Sequence, residues 1–382
     1  MIRVLFLIQS LHQGGAERQL VTLLHGLDKE RFQPVVVTYY PGGKWEERVR
    51  TISGVDLCTI HLRGRFDLAG MVIRLGKLIR KMRPDIVYGV LGDACLLALL
   101  HGRVLGHARV IWGLRASNMD FSRYSRTSAL VYRLSAKFSN YPAKIIVNSR
   151  AGQSYHQKRG YCGNRMVVIP NGIDTDLFRP SPEKGRALRT QLGLDTSVSV
   201  IGRVGRLDPM KDYSTFLAAA AILAKKRKGL RFLVAGGGTT ENQRAMAELG
   251  RDLGLAEQLI WLGPRNDLPA VYSACSLTVS SSAFGEGFPN VVAESLACAV
   301  PCVVTDVGDS AIIVDNQDLV VPPADPEALA RACARVLDCS EEERTVIGKA
   351  GRCRIENNFS QAVMVRATEA IFRDVATRKP SC

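Results

Sequence analysis

The 382-residue sequence lacks the features that define several protein classes. No apolar run approaches the ~20 residues that a membrane-spanning helix requires, and the best stretch, residues 94–100, is far too short. Residues 2–8 contain one basic residue and a short apolar run, which favours a buried first strand over a secretory signal. The ten cysteines include no C-x-x-C pair, so we expect reduced core thiols in a cytosolic protein. The six histidines form no metal-ligand pair at i, i+4 spacing.

Acidic residues are scarce in the first half of the chain. Residues 1–180 contain 27 Lys and Arg against 12 Asp and Glu, whereas residues 181–382 contain 24 of each. The whole net charge of +15 therefore comes from the first half, much of it from residues 63–83 and 103–144. This imbalance favours an anionic partner, with a membrane leaflet ahead of nucleic acid because no common nucleic-acid-binding motif occurs. Solvated helix faces are the alternative.

Strand and helix patterns alternate along the chain. In the first part the pattern predicts strands at 3–9, 34–39, 85–90, 108–113 and 144–148, and helices at 16–27 and 66–83. After a turn-rich segment it predicts strands at 197–204, 231–235, 259–262, 277–280, 300–305 and 319–321, and helices at 212–228, 241–253, 289–299 and 326–337. Such alternation indicates an α/β protein with two doubly wound parallel sheets. The predicted domains are 1–169 and 196–357, joined by a hinge at 170–195, with a ligand cleft between them.

Two cations lie in a glycine-containing loop after the strand at 197–204. Arg206 follows Gly205, and Lys211 precedes the next helix. A forked guanidinium together with a point-charge ammonium suits a diphosphate group. The alternative is that both side chains are simply solvated.

Two glutamates lie eight residues apart, across a glycine-rich loop and the start of a helix. Glu286 is in the loop, and Glu294 lies one turn inside an otherwise apolar helix. Pro289 in the first turn would leave backbone N–H groups available to an anion. A carboxylate at Glu294 needs hydrogen-bond donors, and the vicinal hydroxyls of a ribose or hexose would supply them. A capping or salt-bridged glutamate without a ligand is the alternative.

Two glycine turns and one D-x-D pattern complete the motifs. Residues 236–238 and residues 14–15 each follow a predicted strand, where glycine lets a backbone approach a ligand closely. Neither turn has the G-x-G-x-x-G spacing of a nicotinamide-dinucleotide site. Asp174 and Asp176 match a metal-binding pattern, but we interpret them as turn and capping residues beside Pro170.

In their order and spacing these motifs resemble the retaining glycosyltransferases of family 4, of the bacterial surface-polysaccharide type. The matching segments are 14–17, 170–174, 205–211, 286–294 and 321–326. The resemblance implies a GT-B fold, in which two Rossmann-like domains face each other across a cleft. It also implies that the second domain binds a nucleotide sugar and that a last helix, at about 358–382, packs back on the first domain.

The resemblance also implies which residues form the site. Arg206 and Lys211 would hold the diphosphate, Glu286 the transferred sugar and Glu294 the ribose. The implied catalytic residues are Arg206, Lys211 and Glu286; the implied donor-binding residues are Gly14, Gly15, Gly236, Arg265, Phe288, Pro289, Asn290, Val291 and Glu294; and the implied acceptor-side residues are Arg115 and Glu17. The chain departs from many relatives at 113–117, where a catalytic-site histidine is missing, and at Met210, where a glutamate is common.

The implied reaction is transfer of a sugar from a nucleoside-diphosphate sugar, UDP-linked, to a glycolipid or polyprenyl-diphosphate glycan in surface polysaccharide synthesis. No cofactor, metal or nucleic acid is expected. The basic first half predicts a cytoplasmic protein that is peripheral on the inner face of the cytoplasmic membrane. One alternative is a GT-B enzyme that acts on a soluble acceptor, of the epimerase or disaccharide synthase type. The other is a non-catalytic nucleotide- or polyanion-binding protein.

Overall fold

The structure, a computed structural model, describes residues 1–12, 14–62, 64, 67–105, 108–115 and 126–377. The chain divides into two compact units. Unit 1 comprises Met1–Gly172 and Gln361–Cys382, and unit 2 comprises Ile173–Ser360. Parts of the two basic stretches, residues 63, 65, 66, 106, 107 and 116–125, lie outside the described residues. Within the described residues, no helix combines the length and the apolarity needed to cross a membrane.

Unit 1 is built on a parallel sheet of seven strands with the order β3-β2-β1-β4-β5-β6-β7. The strands are β1 (Ile2–Ile8), β2 (Phe32–Thr38), β3 (Asp56–Thr59), β4 (Ile86–Val90), β5 (Arg109–Leu114), β6 (Lys144–Val147) and β7 (Met166–Val168). The helices are α1 (Gly15–Gly26), α2 (Glu46–Arg50), α3 (Leu68–Met82), α4 (Gly92–Leu99), α5 (Arg126–Lys137), α6 (Arg150–Lys158) and, from the end of the chain, α15 (Gln361–Thr377).

Both faces of this sheet are buried, and the alternation within β1 explains how. Val4, Phe6 and Ile8 pack into one apolar cluster, and Leu5 and Leu7 pack into a second. Because successive side chains of a strand point to opposite faces, a continuous apolar run is the expected pattern for a strand covered by helices on both sides. The sequence pattern missed β3 and β7, which are short and lie at the two edges of the sheet.

Unit 2 contains a parallel sheet of six strands with the order β10-β9-β8-β11-β12-β13. The strands are β8 (Ser199–Val204), β9 (Leu230–Ala235), β10 (Leu259–Gly263), β11 (Leu277–Ser280), β12 (Cys302–Thr305) and β13 (Val320–Val321). The helices are α7 (Pro182–Gln191), α8 (Tyr213–Lys226), α9 (Thr240–Asp252), α10 (Leu268–Ser273), α11 (Asn290–Ala297), α12 (Ser310–Val314), α13 (Pro326–Asp338) and α14 (Glu341–Asn358).

Each sheet has one point at which the strand order reverses direction. In unit 2 this point lies between β8 and β11, whose residues Ile201 and Gly202 pair with Leu277 and Thr278. In unit 1 it lies between β1 and β4. The loops that follow two such strands diverge to opposite sides of the sheet, which leaves a crevice at the carboxyl ends where ligands bind. The predicted α/β architecture of two doubly wound sheets is therefore confirmed.

Most of the predicted hinge, 170–195, is an integral part of unit 2. The unit begins at Ile173, and α7 within this segment packs against α10. Asp174 accepts hydrogen bonds from the backbone N–H groups of Asp176 (3.1 Å) and Leu177 (2.9 Å). This is the turn geometry that was expected of the D-x-D pattern.

The nine described cysteines are free thiols, but they are not uniformly part of the core. Cys95, Cys298, Cys302 and Cys333 are buried, whereas Cys353 is exposed. Burial raises the pKa of Cys302 to about 11, which makes that thiol less reactive.

Helix α15 completes the core of unit 1 through one aromatic side chain. Phe372 is fully buried, and its ring centroid lies 6.0 Å from Phe6, 5.9 Å from Phe32 and 6.0 Å from Tyr88. The strands supply three of these four rings, so the last helix shares its core with the first residues of the chain.

We expect Phe372→Ala to lower the free energy of unfolding of unit 1 by ~3–5 kcal/mol, because it leaves a cavity among three rings. Phe138→Ala is the matched control, since that ring is 36% exposed; its expected loss is on the order of 0.5–1 kcal/mol. Urea denaturation of both variants measures the difference. Equal losses would contradict the assignment of α15 to this core.

Candidate active site

The loop after β8 carries both predicted phosphate-binding cations. Arg206 is exposed between Gly205 and the buried Leu207, and among the described residues nothing forms a hydrogen bond or ion pair with its side chain. Asp208 shapes the next turn by accepting a hydrogen bond from Met210 N (3.0 Å). Asp212 then starts α8 by accepting one from Thr215 N (3.0 Å).

Lys211 is held by the glutamate predicted to contact the transferred sugar. Its Nζ atom forms an ion pair with Glu286 Oε1, and Ser282 Oγ donates to the same oxygen at 2.7 Å. The Lys211 and Glu286 side chains are only 11% and 7% exposed. Lysine has three donors, so this pairing leaves others for a ligand. The structure thus brings two of the three predicted catalytic residues into direct contact at the β8–β11 crevice.

Glu294 is almost completely buried in α11. Its Oε2 atom accepts a hydrogen bond of 2.9 Å from the hydroxyl of Tyr272, a residue of α10. The side chain is 1% exposed. The acid is therefore anchored at a fixed position by a partner from a neighbouring helix, which the spacing of the motif did not reveal.

The predicted amide donors lie at the start of α11. The helix begins at Asn290, and Pro289 is its N-cap residue, one position earlier than the first-turn proline we expected. The side chain of the N-cap residue makes no hydrogen bond to this helix start. Phe288 is buried, with its ring 5.4 Å from that of Phe359. The first turn of α11, which contains Asn290 and Val291, therefore follows the glycine-rich loop directly, and a helix N-terminus is where an anion would be favoured.

Gly236 supports the loop after β8 from the end of the neighbouring strand β9. A Cβ atom at this position would lie 1.7 Å from the carbonyl oxygen of Gly205, so no other residue fits. The following Gly237 accepts a hydrogen bond from Leu207 N at 2.8 Å. A close backbone-to-backbone contact therefore accounts for this glycine without a ligand, and we retain Gly236 as a donor-binding residue only as a proposal.

Met210 takes a packing role at the position where many relatives carry a glutamate. A Cβ atom added to Gly285 would lie 2.6 Å from the Met210 sulfur, so the methionine packs directly against this glycine. Gly285 also has a positive φ of +78°. Met210 O also accepts a hydrogen bond from Ala283 N (3.0 Å). Met210 therefore connects the loop after β8 to the loop after β11, through its side chain and through its backbone carbonyl.

Arg265, a predicted donor-binding residue, is paired with a neighbouring carboxylate. It follows β10, the edge strand, and forms a bidentate pair with Asp267. The hydrogen bond and charge of Asp267 raise the pKa of Arg265, and those of Arg265 lower the pKa of Asp267. The guanidinium is thus already paired, in contrast to that of Arg206.

The unit 1 residues lie at the carboxyl ends of its strands. Gly14 caps α1 in an extended conformation, and the Glu17 carboxylate lies against it, within 2.1 Å of where a Cβ atom would be. The Glu17 carboxylate therefore occupies the space beside this helix start, and a phosphate that bound there would have to displace it. Arg115 donates a 2.7 Å hydrogen bond to Asn171 Oδ1, which ties the end of β5 to the segment after β7.

Sequence reasoning missed Arg203, a buried arginine of β8 that supports the loop after this strand. Arg203, at 0% exposure, donates to Val204 O (3.1 Å) and Lys211 O (2.6 Å), and its Cζ atom lies 4.8 Å from the Tyr213 ring centroid. Tyr213 in turn donates to Gly205 O at 2.7 Å. These contacts hold the backbone on both sides of Arg206. An arginine inside an apolar strand was the signal that could have revealed them.

Comparison with known proteins finds glycosyltransferases. A model described as Glycosyl transferases group 1 matches residues 198–339, and one described as Glycosyltransferase Family 4 matches residues 13–177. A similar Escherichia coli protein is the UDP-Gal:alpha-D-GlcNAc-diphosphoundecaprenol alpha-1,3-galactosyltransferase, 26% identical over 81% of this chain and 80% of that protein. The D-inositol 3-phosphate glycosyltransferase of Corynebacterium urealyticum is 30% identical over 57% of this chain and 55% of its own.

The fold matches solved structures over nearly the whole chain. A crystal structure of Anabaena HepE in complex with UDP superposes with a TM-score of 0.85 at 21% identity, covering 98% of this chain and 100% of that one. The architecture is therefore that of the GT-B glycosyltransferases. The chain belongs to the family 4 glycosyltransferases, and the expected resemblance is confirmed.

The two cations of the loop after β8, Lys211 and Arg206, should contribute very differently to the free energy of unfolding. We expect Lys211→Met to lower the free energy of unfolding by ~3–5 kcal/mol, because it leaves the buried Glu286 carboxylate without its cation. Arg206→Ala should change it by about 0.5 kcal/mol or less, because the side chain is exposed. Urea denaturation tests both, and equal stability of the two variants would exclude the buried pair.

Proposed function

We propose that this glycosyltransferase moves a hexose from UDP-hexose, with retention of configuration, to a lipid-linked glycan acceptor in surface polysaccharide synthesis. The observation that carries the proposal is the Lys211–Glu286 pair beside the exposed Arg206, at the crevice between β8 and β11. This arrangement offers positive charge to a diphosphate and a carboxylate to sugar hydroxyls within one site.

In this proposal the protein acts mainly through electrostatics. As the bond between the sugar and the β-phosphate breaks, negative charge accumulates on the departing diphosphate. Arg206 and Lys211 stabilise that charge, and the positive end of the α11 dipole adds to it. The acceptor oxygen attacks from the same face of the sugar and transfers its proton to the departing diphosphate oxygen. The new glycosidic bond therefore has the configuration of the donor.

The same two cations would make a metal ion unnecessary. A divalent ion in sugar transfer neutralises the diphosphate, and a guanidinium with an ammonium supplies equivalent charge. The Asp174 carboxylate, which could have held a metal, is engaged by two backbone N–H groups of its own turn.

The choice of UDP as the donor nucleotide has support from two relatives. The Anabaena structure of the same fold holds UDP, and the Escherichia coli relative is named for a UDP-galactose donor. We place Glu294 at the ribose, where the Tyr272 hydroxyl would keep its carboxylate oriented toward the two hydroxyls.

The acceptor assignment depends on charge and on one relative. The Escherichia coli relative is named for a diphosphoundecaprenol-linked acceptor, and the positive excess of this chain lies in residues 1–180. An acceptor diphosphate on the inner face of the cytoplasmic membrane would match that charge. A soluble phosphorylated acceptor is the second candidate, because another relative acts on D-inositol 3-phosphate according to its name.

The donor site is tested by thermal unfolding with UDP, GDP, ADP and inorganic diphosphate. At a concentration ~100 times its dissociation constant, a ligand adds about 2.7 kcal/mol. For a unit the size of unit 2 this corresponds to a rise in Tm of roughly 5–10 °C. We expect UDP to give this shift in the wild type and Arg206→Ala to lose it, with turnover falling ~10²–10³-fold.

Arg186→Ala is the matched control, because Arg186 is also an exposed arginine of unit 2 but lies in α7. It should retain the full UDP shift. A normal turnover rate in Arg206→Ala, or an equal shift with inorganic diphosphate alone, would refute the donor site.

A further inference from the structure

An exposed apolar stripe runs along α5 and the turn that follows it in unit 1. We define the α5 stripe as Leu130, Leu134, Phe138 and Tyr141, which are 55%, 36%, 36% and 48% exposed. The spacing of four between the first three places them on one side of a helix. Phe138 N donates to Leu134 O (2.9 Å), so the helical hydrogen bonding extends to Phe138. Exposed large apolar side chains in a row, rather than singly, mark an interaction surface.

The opposite side of α5 is firmly attached to unit 1. Ser135 and Ser139 are buried, and Tyr132 packs against the apolar cluster of the sheet. The Tyr132 hydroxyl is 2.9 Å from His156 Nδ1, and its ring centroid is 5.2 Å from that of Tyr161. The stripe is therefore the outer face of a docked helix, and its exposure does not come from a helix that has failed to pack.

The surroundings of the stripe are basic. Arg133 and Lys137 are exposed on α5 itself. Arg103 donates to Tyr141 O (2.9 Å), and its Cζ atom lies 5.3 Å from the Tyr141 ring centroid. Between Asp93 and Asp174 the sequence contains one acidic residue, Asp120. Along the sequence, this interval contains twelve Lys and Arg.

We propose that the α5 stripe inserts into the surface of an anionic membrane, with Arg133, Lys137 and Arg103 against the lipid phosphates. An amphipathic helix with apolar residues on one side and flanking cations is the pattern of interfacial membrane binding. A second copy of the chain fits less well, because a two-fold contact through the stripe would bring the cations of both copies together. The inference rests on the proposed lipid-linked acceptor, which it would bring to the enzyme at the membrane surface.

The apolar contribution is tested by the variant Leu130→Gln/Leu134→Gln/Phe138→Gln of the full chain. Its matched control is Leu177→Gln/Val346→Gln, which removes two apolar side chains of unit 2 that are 53% and 66% exposed. Co-sedimentation is measured with vesicles of phosphatidylcholine containing phosphatidylglycerol. We expect the α5 variant to bind roughly tenfold or more weakly and the control to bind like the wild type.

The electrostatic contribution is tested by Arg133→Gln/Lys137→Gln, with Lys225→Gln/Lys226→Gln of α8 as the control, since all four side chains are exposed. The α5 pair should weaken binding by about fivefold per residue on anionic vesicles. The loss should disappear on pure phosphatidylcholine and at ~1 M salt, where charge is screened within about 3 Å.

Failure of this inference is distinguishable from failure of the proposed function. Each α5 variant is also assayed for its UDP-induced thermal shift and for transfer to a short-chain, water-soluble acceptor, both of which should remain normal. If the α5 variants bind vesicles like the wild type, the membrane-binding role of the α5 stripe is refuted, while the proposed donor site is unaffected. Self-association of the wild type that the α5 variants abolish, or binding to an acidic protein or RNA in place of vesicles, would also overturn it. If the wild type shows no UDP-induced thermal shift, the proposed glycosyl transfer from a UDP-linked donor is refuted.

Discussion

The ion pair between Lys211 and Glu286 is the constraint on which the rest of the candidate site depends. Neither charge could be buried to this extent alone, because the desolvation cost would exceed what the surrounding apolar residues return. The loops after β8 and β11 must therefore meet, and the reversal of strand order between these strands places them at one edge. Arg203 supports this meeting point by binding the carbonyl oxygen of Lys211. Arg206 stays exposed in the same loop as Lys211, so the loop offers one fixed and one accessible cation.

The positive charge is divided unevenly between the two halves of the chain, and the division suits the two proposed tasks. The second half of the chain is neutral overall, and its positive charge matters only locally, where Arg206 and Lys211 share a loop. The first half has a broad excess of cations, part of which surrounds the α5 stripe. A concentrated site suits a small diphosphate, whereas a spread one suits an extended anionic surface. This division is in line with the proposed donor site in the second half of the chain and the proposed membrane surface in the first half.

Much of the fold could be predicted because parallel strands buried on both faces are continuous apolar runs. The predicted strand at 277–280 matches β11, and the helix at 326–337 differs from α13 by one residue. The missed strands β3 and β7 lie at the sheet edges and are only partly buried, whereas β11 is equally short but fully buried, so burial rather than length separates the missed strands from the predicted ones. Pro289 was placed one position too far into α11, since a proline at a helix start does not itself specify whether it is the cap or the first residue.

The sequence by itself determined the two doubly wound sheets, the positive first half, and the identities of Arg206, Lys211, Glu286 and Glu294 as candidates. These follow from periodicity, composition and motif spacing, which are local properties of the chain. Only the tertiary structure decided the partners: Glu286 for Lys211, Tyr272 for Glu294, Asp267 for Arg265 and Asn171 for Arg115. It also decided which apolar side chains of α5 stay outside. The Arg265–Asp267 pair is local, but the other three contacts join residues far apart in the chain. These three depend on how helices and loops pack around a sheet, which residue spacing does not encode.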